Sequence, residues 1–370
     1  RENLLNIPNA KVAAEYREIT SNLYIRLLQD LERHPEAGLI LDLAGDTEGA
    51  LKVLERARQA APDLYVIASN YHADGETVIA AVRSGANDFL VQPLKRLEFR
   101  DAMARLERAP KRTVAGTSKL GRVYTFLGAK GGAGATTFAV NFAAVLAERG
   151  GSTVLLDLDW SANECAMQTG LTPQYTLLEV GENLGRMDQA LFEGFVTRDP
   201  TGFLLVGPPD SLEHFGYFSE PMFRDFAGFL VEKYDSIVID AGRNITHDLV
   251  LGALHASTAI FLVIQQDFPS LRNAQRYIGA LMRHGFRQDQ LRVVVNQYTK
   301  KPQPHQASLD QIQQTLNQPV FYGIPPSPAA PAAVNRGRPF VAGAGGEIDR
   351  VFRAFVDKAA GMTKEDRKTA

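Results

Sequence analysis

Unbroken apolar runs alternate along this chain with stretches in which apolar residues recur every three or four positions. Short continuous runs mark strands buried on both faces, and the 3.6-residue recurrence marks helices that bury one side. In the first third, GLILDL (38–43), LYVIAS (64–69) and NDFLVQP (87–93) read as strands. Helical spacing falls between and after them at 48–59, 76–83 and 97–106. The stretch 107–122 then carries six charged residues, a proline and two glycines with almost nothing large and apolar, the mark of a linker. Seven further runs follow: VYTFLG (123–128), STVLLDLD (152–159), GFLLVGPP (202–209), SIVIDAG (236–242), TAIFLVIQQ (258–266), LRVVVNQY (291–298) and PVFYGIP (319–325). Strands that alternate with helices in this way predict an α/β fold with parallel sheets. The pattern divides the chain into a first α/β domain at 1–108, a linker at 109–121, a doubly wound, mostly parallel sheet domain at 122–360 and a disordered tail at 361–370. The helix expected at 347–360 places Ile348, Val351, Phe352, Phe355 and Val356 on one face. Lys and Arg flank it too sparsely for an anionic lipid surface, so it is expected to dock on the sheet.

Length and composition agree with this division. At about 100–200 residues per domain, 370 residues make two domains or three. The 45% apolar and 22% charged residues are ordinary for a globular chain, which excludes disorder throughout. Lys and Arg number 40 against 42 Asp and Glu, so a protein that coats nucleic acid is not expected. The single cysteine, Cys165, excludes an intrachain disulfide and a four-thiolate metal site. No apolar run nears the roughly 20 residues of a membrane helix, and RENLLNIPNAKV has no signal-peptide core. The expectation is a cytoplasmic protein without a membrane span.

The clearest chemistry lies directly after VYTFLG. The segment AKGGAGATT (129–137) joins that strand to the helix FAVNFAAVLAERG. A glycine-rich turn at a helix N-terminus aims backbone N–H groups, and the helix dipole, at an anion. Gly131, Gly132 and Gly134 permit close backbone approach to phosphate, with Ala133, Ala135 and Thr137 completing the cradle. Thr136 stands where the hydroxyl of a phosphate loop reaches Mg2+. The lysine that precedes this hydroxyl in G-x-x-x-x-G-K-[ST] is here Ala135, and a lysine stands instead at the head of the loop, Lys130.

This K-G-G-x-G-x-T-T form resembles the deviant Walker A loop of the ParA/MinD superfamily, which usually keeps both lysines. The resemblance implies ATP and Mg2+ as cofactors and a homodimer across the nucleotide, with Lys130 reaching the partner's phosphates. Further landmarks follow in order. In LLDLDW, Asp157 matches the metal-supporting carboxylate and Asp159 the residue that orients the attacking water, although an Asp at a strand end also serves as a helix cap. Asp240 in YDSIVIDAG matches the Walker B carboxylate that holds Mg2+ through water, with Ala241, Gly242 and Arg243 in place of the usual prolines. Arg243 either touches phosphate or forms a surface pair. Asn296 matches the amide that reads adenine, and Pro325 opens the segment GIPPSPAAPAAVNRGRPFV that closes over the base. Trp160 is expected at a dimer face or over the nucleotide, and Cys165 as a packed or half-exposed thiol rather than a ligand.

The first domain resembles a response-regulator receiver that has degenerated. Asp42 stands at the phospho-acceptor position, Ser69 at the switch hydroxyl, and Gln92 replaces the lysine of the G-A-x-D-[YF]-L-x-K-P ending. No acidic pair for Mg2+ is found before them, so Asp42 is expected to be a strand-end carboxylate without phosphoryl chemistry. A receiver-like domain joined to a ParA/MinD-like ATPase resembles the TadZ/CpaE family, which localises the Flp/Tad (type IVb) pilus machinery, often to a cell pole. The implied partners are a second copy and other pilus assembly or pole-localisation proteins, with no nucleic acid. Loss of a charged group that acts on a transition state costs about 10²–10³ in rate, so ATP binding with weak or absent hydrolysis is expected. Three alternatives stay open: a fully active ATPase that relies on Lys130, a DNA-partitioning ParA-type ATPase, and a scaffold without nucleotide.

Overall fold

The computed structural model describes residues 11–16, 23, 27, 30, 31, 34–109, 120–211, 217–343 and 345–361. Most of the expected linker at 109–121 and nearly all of the expected tail at 361–370 lie outside them. The chain falls into two compact units, 1–120 and 121–370.

In the first unit, β1 (Leu39–Asp42), β2 (Val66–Asn70) and β3 (Asp88–Val91) form a parallel sheet in that order. The helices α1 (Thr47–Ala60), α2 (Gly75–Arg83) and α3 (Arg96–Arg108) follow the three strands in turn. Asp46 and Asp74 start α1 and α2 by accepting the Gly49 and Thr77 amides, the usual way of satisfying first-turn N–H groups. Ile67, Leu90, Phe99 and Ala102 make a small core. All three strands and all three helices stand where the apolar pattern predicts them. Strand register sets Asp42 beside Ser69. Gln92, just past β3, donates to Asp42 Oδ1 at 2.8 Å and to Ser69 Oγ at 3.1 Å. The three residues singled out in this unit therefore meet at the C-terminal edge of the sheet, where the Gln92 amide bridges the other two.

The second unit opens with β4 (Arg122–Gly128) and α4 (Ala135–Glu148), followed by β5 (Thr153–Asp157). Three short helices come next, α5 (Glu164–Thr169), α6 (Leu177–Asn183) and α7 (Gln189–Phe195), then β6 (Thr197–Arg198) and β7 (Leu204–Val206). The remaining elements are α8 (Glu220–Lys233), β8 (Ser236–Asp240), α9 (Asp248–Ala256), β9 (Ala259–Ile264), α10 (Phe268–Arg283) and β10 (Leu291–Val295). The unit closes with α11 (Leu309–Leu316), β11 (Val320–Gly323), α12 (Ala329–Val334) and α13 (Glu347–Ala360). The sheet order is β11-β10-β9-β4-β8-β5-β7-β6. Neighbouring strands run parallel except β6, which pairs antiparallel with β7. The sequence predicts seven strands here, and the sheet has an eighth. Its extra member has only two residues, both polar, at an edge, so no apolar run announces it.

Alternation along the central strands builds the two cores. Tyr124 and Phe126 of β4, with Ala259, Phe261 and Val263 of β9, face α4 and α13. Leu127, with Ile260, Leu262 and Ile264, faces α9, α10 and α11. Helices on both faces explain why these strands read as continuous apolar runs rather than as an alternation. Helix α13 docks through Phe352 and Phe355, as its apolar stripe predicts, and three cations hold its C-terminal turn. Arg122 donates to the Ala360 carbonyl, Arg292 to that of Ala359 at 3.0 Å, and Arg149 pairs with Asp357. Positive charge at a helix C-terminus complements the dipole.

Candidate functional site

Strand β4 lies between β8 and β9, the point at which the connections turn from one half of the sheet to the other. The crevice beyond the strand C-termini at such a point is where open α/β sheets bind ligands. The glycine-rich loop starts there. Ala129 N donates to Val263 O, and Gly128 N donates to Gly242 O at 2.8 Å, which ties the loop to both neighbouring strands. Gly132 has φ +74° and Gly134 has φ +102°, values that side chains disfavour. A Cβ on Gly132 would meet nothing within 4 Å, so the crown of the loop faces open space. A Cβ on Gly134 would come within 2.5 Å of Asn296 Nδ2, so only glycine permits this approach. Among the described residues, no hydrogen bond uses the N–H groups of Gly131, Gly132, Gly134, Ala135, Thr136 or Thr137. Unpaired donors beside open space at the start of a long helix form an anion cradle.

The side chains below the cradle are acidic. Asp157 and Asp240 face each other across the β5–β8 register, and both are fully buried. Asp157 accepts from Asp159 N at 2.9 Å and from Cys165 N at 3.0 Å, and Asp240 accepts from Gly242 N at 3.1 Å. Burial pushes both carboxyls upward, Asp157 to about 8, with the charge of Asp240 adding to the effect. Asp240 rises less, because the Thr136 hydroxyl and the Gly242 amide stabilise its charged form. Cys165, expected to be packed or half-exposed, is fully buried, and its thiol lies 3.7 Å from Asp240 Oδ2. Burial and the two carboxylates raise the Cys165 pKa, so the thiol stays protonated. Asp159 is half-buried, accepts from Ser161 Oγ at 2.5 Å, and packs its carboxylate on Gly242, whose φ is +58°.

The remaining predicted site residues lie towards the same edge, and Lys130, Asn296 and Thr137 have partners of their own. Lys130 Nζ donates to Asp267 Oδ2 at 2.6 Å. Asp267 also caps α10 by accepting from Ser270 N at 2.9 Å. Asn296 donates to the Ala133 carbonyl at 2.8 Å and accepts from Gln297 N, so its amide clasps the loop. Pro325 follows β11, the strand beside β10 and its Asn296. Thr137 Oγ1 donates to Gln168 Oε1 at 3.0 Å. Trp160 is buried, and its ring N–H has no partner among the described residues. The segment after β11 is pinned near the loop's helix. Val341 N donates to buried Asn141 on α4, and Gly337 packs backbone to backbone on Gly170, both at positive φ.

Two residues of the site are not evident from the sequence. Asp267 precedes Phe-Pro-Ser, so it reads only as a helix cap, and the chain separates it from Lys130 by 137 positions. Tyr277 donates its hydroxyl to the Arg243 carbonyl at 2.6 Å and has no local motif.

The second unit is similar to known proteins. The family model described as the CobQ/CobB/MinD/ParA nucleotide binding domain matches residues 124–340, more than half of the chain. A putative septum site-determining protein MinD of Guillardia theta is 29% identical over 228 residues, 60% of this chain and 81% of its own length. The septum site-determining protein MinD of Thermotoga maritima is 24% identical over 250 residues, 65% of this chain and 89% of its own. Among solved structures, a ParA family ATPase from Chlorobium tepidum TLS superposes with a TM-score of 0.60 at 20% identity, covering 65% of this chain and 98% of that one. MinD of Pyrococcus horikoshii OT3 complexed with Mg-ADP gives 0.57 at 18% identity, covering 68% and 99%. At these identities the superpositions speak for the fold alone. The glycine loop at the centre of the sheet, the buried carboxylates below it and the match over 124–340 lead to one assignment: the chain belongs to the CobQ/CobB/MinD/ParA nucleotide binding domain family.

Proposed function

We propose that the protein binds ATP with Mg2+ at the glycine loop and uses nucleotide-dependent dimerisation as a positional switch, with weak or absent hydrolysis. The observation that carries this reading is the row of unpaired loop N–H groups above two buried carboxylates and a hydroxyl. Asp157, Asp240 and Thr136 offer hard oxygen donors of the kind Mg2+ takes, and the open crown at Gly132 leaves room for phosphate. The bound ion would neutralise phosphate charge. Asp159, beside Gly242 at the mouth of the cradle, is placed to hold a water. The loop amides of 131–137 bind and orient the phosphates, and Asn296 fixes the loop backbone from below. The structure of the related MinD with Mg-ADP supports the choice of cofactor.

Weak turnover follows from Ala135. A phosphate loop ordinarily places an ammonium there, and here the position is a buried methyl group. Lys130 is the natural substitute, yet it pairs with Asp267 within its own chain. To reach the nucleotide of a second copy it has to leave that carboxylate. Alanine at Lys130 is therefore expected to abolish ATP-dependent dimerisation in light scattering while leaving the apo protein monodisperse and folded. Normal ATP-dependent dimers in that variant would refute a role for this lysine across the dimer.

The reading extends to the cellular role through the first unit. Asp42, Ser69 and Gln92 cluster at one sheet edge, where a receiver keeps its acceptor, hydroxyl and lysine, and the amide of Gln92 carries no charge. A receiver-like unit at 1–108 that docks rather than accepts phosphate, joined to this ATPase fold, is the combination of the TadZ/CpaE proteins. On this reading the protein helps to localise and assemble Flp/Tad pilus machinery, at a cell pole, with a second copy and pilus assembly proteins as partners. The same first unit speaks against a DNA-partitioning role, as does the balanced charge.

A further inference from the structure

The cation that Ala135 leaves out has a candidate replacement on the other side of the loop. Arg243 follows Asp240 by three residues, and its backbone is tethered on every side. Ala241 N donates to Phe126 O at 2.9 Å, Gly242 O accepts from Gly128 N, and the Arg243 carbonyl accepts from Tyr277 Oη at 2.6 Å. Gly242, at φ +58° beneath the Asp159 carboxylate, turns the chain so that the next side chain passes over the loop. The result is a guanidinium whose Nη1 lies 3.2 Å from the position a Cβ on Gly131 would take. No carboxylate among the described residues forms an ion pair with it, whereas the ammonium of Lys130 is held by Asp267 at 2.6 Å. The site thus contains one cation already neutralised and one that is not, and the second lies against Gly131 at the head of the loop.

We propose that Arg243 supplies, from the strand after the loop, the positive charge on the nucleotide's polyphosphate that Ala135 does not. This rests on the nucleotide reading above and goes beyond it by assigning the compensating group. Guanidinium is suited to the task because its donors form a planar fork that matches phosphate oxygens, and it remains charged at any physiological pH. Its reach comes from the Gly242 turn, so a lysine at 243 keeps the charge and most of the contact but loses the fork.

The test is a calorimetric titration of Mg·ATP into the full chain and into Arg243→Ala, Arg243→Lys, Ala135→Lys and the double variant Ala135→Lys/Arg243→Ala. Arg243 is exposed, so folding should survive, and thermal unfolding of each variant checks this. The expected result is an affinity loss of about tenfold or more in Arg243→Ala, a smaller loss in Arg243→Lys, and recovery of most of the binding when Ala135→Lys is added to Arg243→Ala. Unchanged affinity in Arg243→Ala overturns the proposal. So does an Ala135→Lys gain of equal size in the presence and absence of Arg243, because independent contributions mean that neither group replaces the other. If the unsubstituted protein binds no ATP, the nucleotide reading itself fails and this inference falls with it, an outcome distinct from the other two.

Discussion

Alanine at Phe355 is expected to destabilise the second unit by about 3–5 kcal/mol, the range for truncating a buried phenylalanine. The ring has no exposed surface and sits where α13 meets the sheet. It packs against Phe138, Phe142, Phe261, Phe321, Tyr322 and Phe352 at centroid separations of 5.4 to 6.2 Å, all of them tilted or edge-on. Rings on α4, β9, β11 and α13 cannot all shift inward, so the vacated volume stays largely empty. The sole tryptophan, Trp160, is buried in the same unit, so its fluorescence follows this transition in urea. The midpoint should fall with an unchanged slope. A loss below about 1 kcal/mol would contradict the placement of α13 in the core, since such a small cost belongs to surface substitutions.

The paired carboxyls should leave a signature in pH. Asp157 and Asp240 hold their protons to higher pH in the folded protein than an ordinary aspartate of pKa 3.8, Asp157 to about 8, because charging them in the dry interior beside each other is costly. The native state therefore binds more protons than the unfolded chain between pH 3.8 and about 8. Stability contributed by the pair is intact at the acidic end of that window and is lost as pH rises through it, at up to about 1.4 kcal/mol per pH unit for each extra proton bound. Asp157→Asn removes one titrating group while keeping the shape and an oxygen that can accept from Asp159 N or Cys165 N. In the absence of nucleotide and metal, unfolding measured at several pH values should thus show wild-type stability falling relative to Asp157→Asn between pH 5 and pH 8. A difference between the two proteins that stays constant across that range would contradict the burial of the pair as a charged liability.

Much of this architecture is legible in the sequence because it depends on local signals. The buried strands announce themselves as apolar runs, and the loop announces itself through glycines placed between a strand and a helix. The order of Asp157, Asp159, Asp240 and Asn296 along the chain is enough to place them at one sheet edge once the strands are parallel. What stays hidden depends on distant pairing. Asp267 reads as a cap, and only the fold brings it to Lys130. Asn296 is matched to a base-reading amide only by the family resemblance, and its hydrogen bond to the Ala133 carbonyl is shown only by the fold. Strand β6 is too short and polar to show a period. Cys165 reads as a packed or half-exposed thiol, and only the fold buries it and brings it against Asp157 and Asp240. Trp160, expected over a dimer face or the nucleotide, is buried. Arg243 has no motif that separates a phosphate contact from a surface pair, and the choice turns on the Gly242 conformation.

Nucleotide binding at this loop is expected to drive association. Titration of the purified full chain with ATP and Mg2+, followed by calorimetry and light scattering together, tests it most directly. The expected result is saturable binding accompanied by conversion from monomer to dimer, lost when Mg2+ is withheld. No heat of binding and no change in mass at millimolar ATP would contradict it, and would leave a protein that keeps the family's fold while its work is done by surfaces away from the loop.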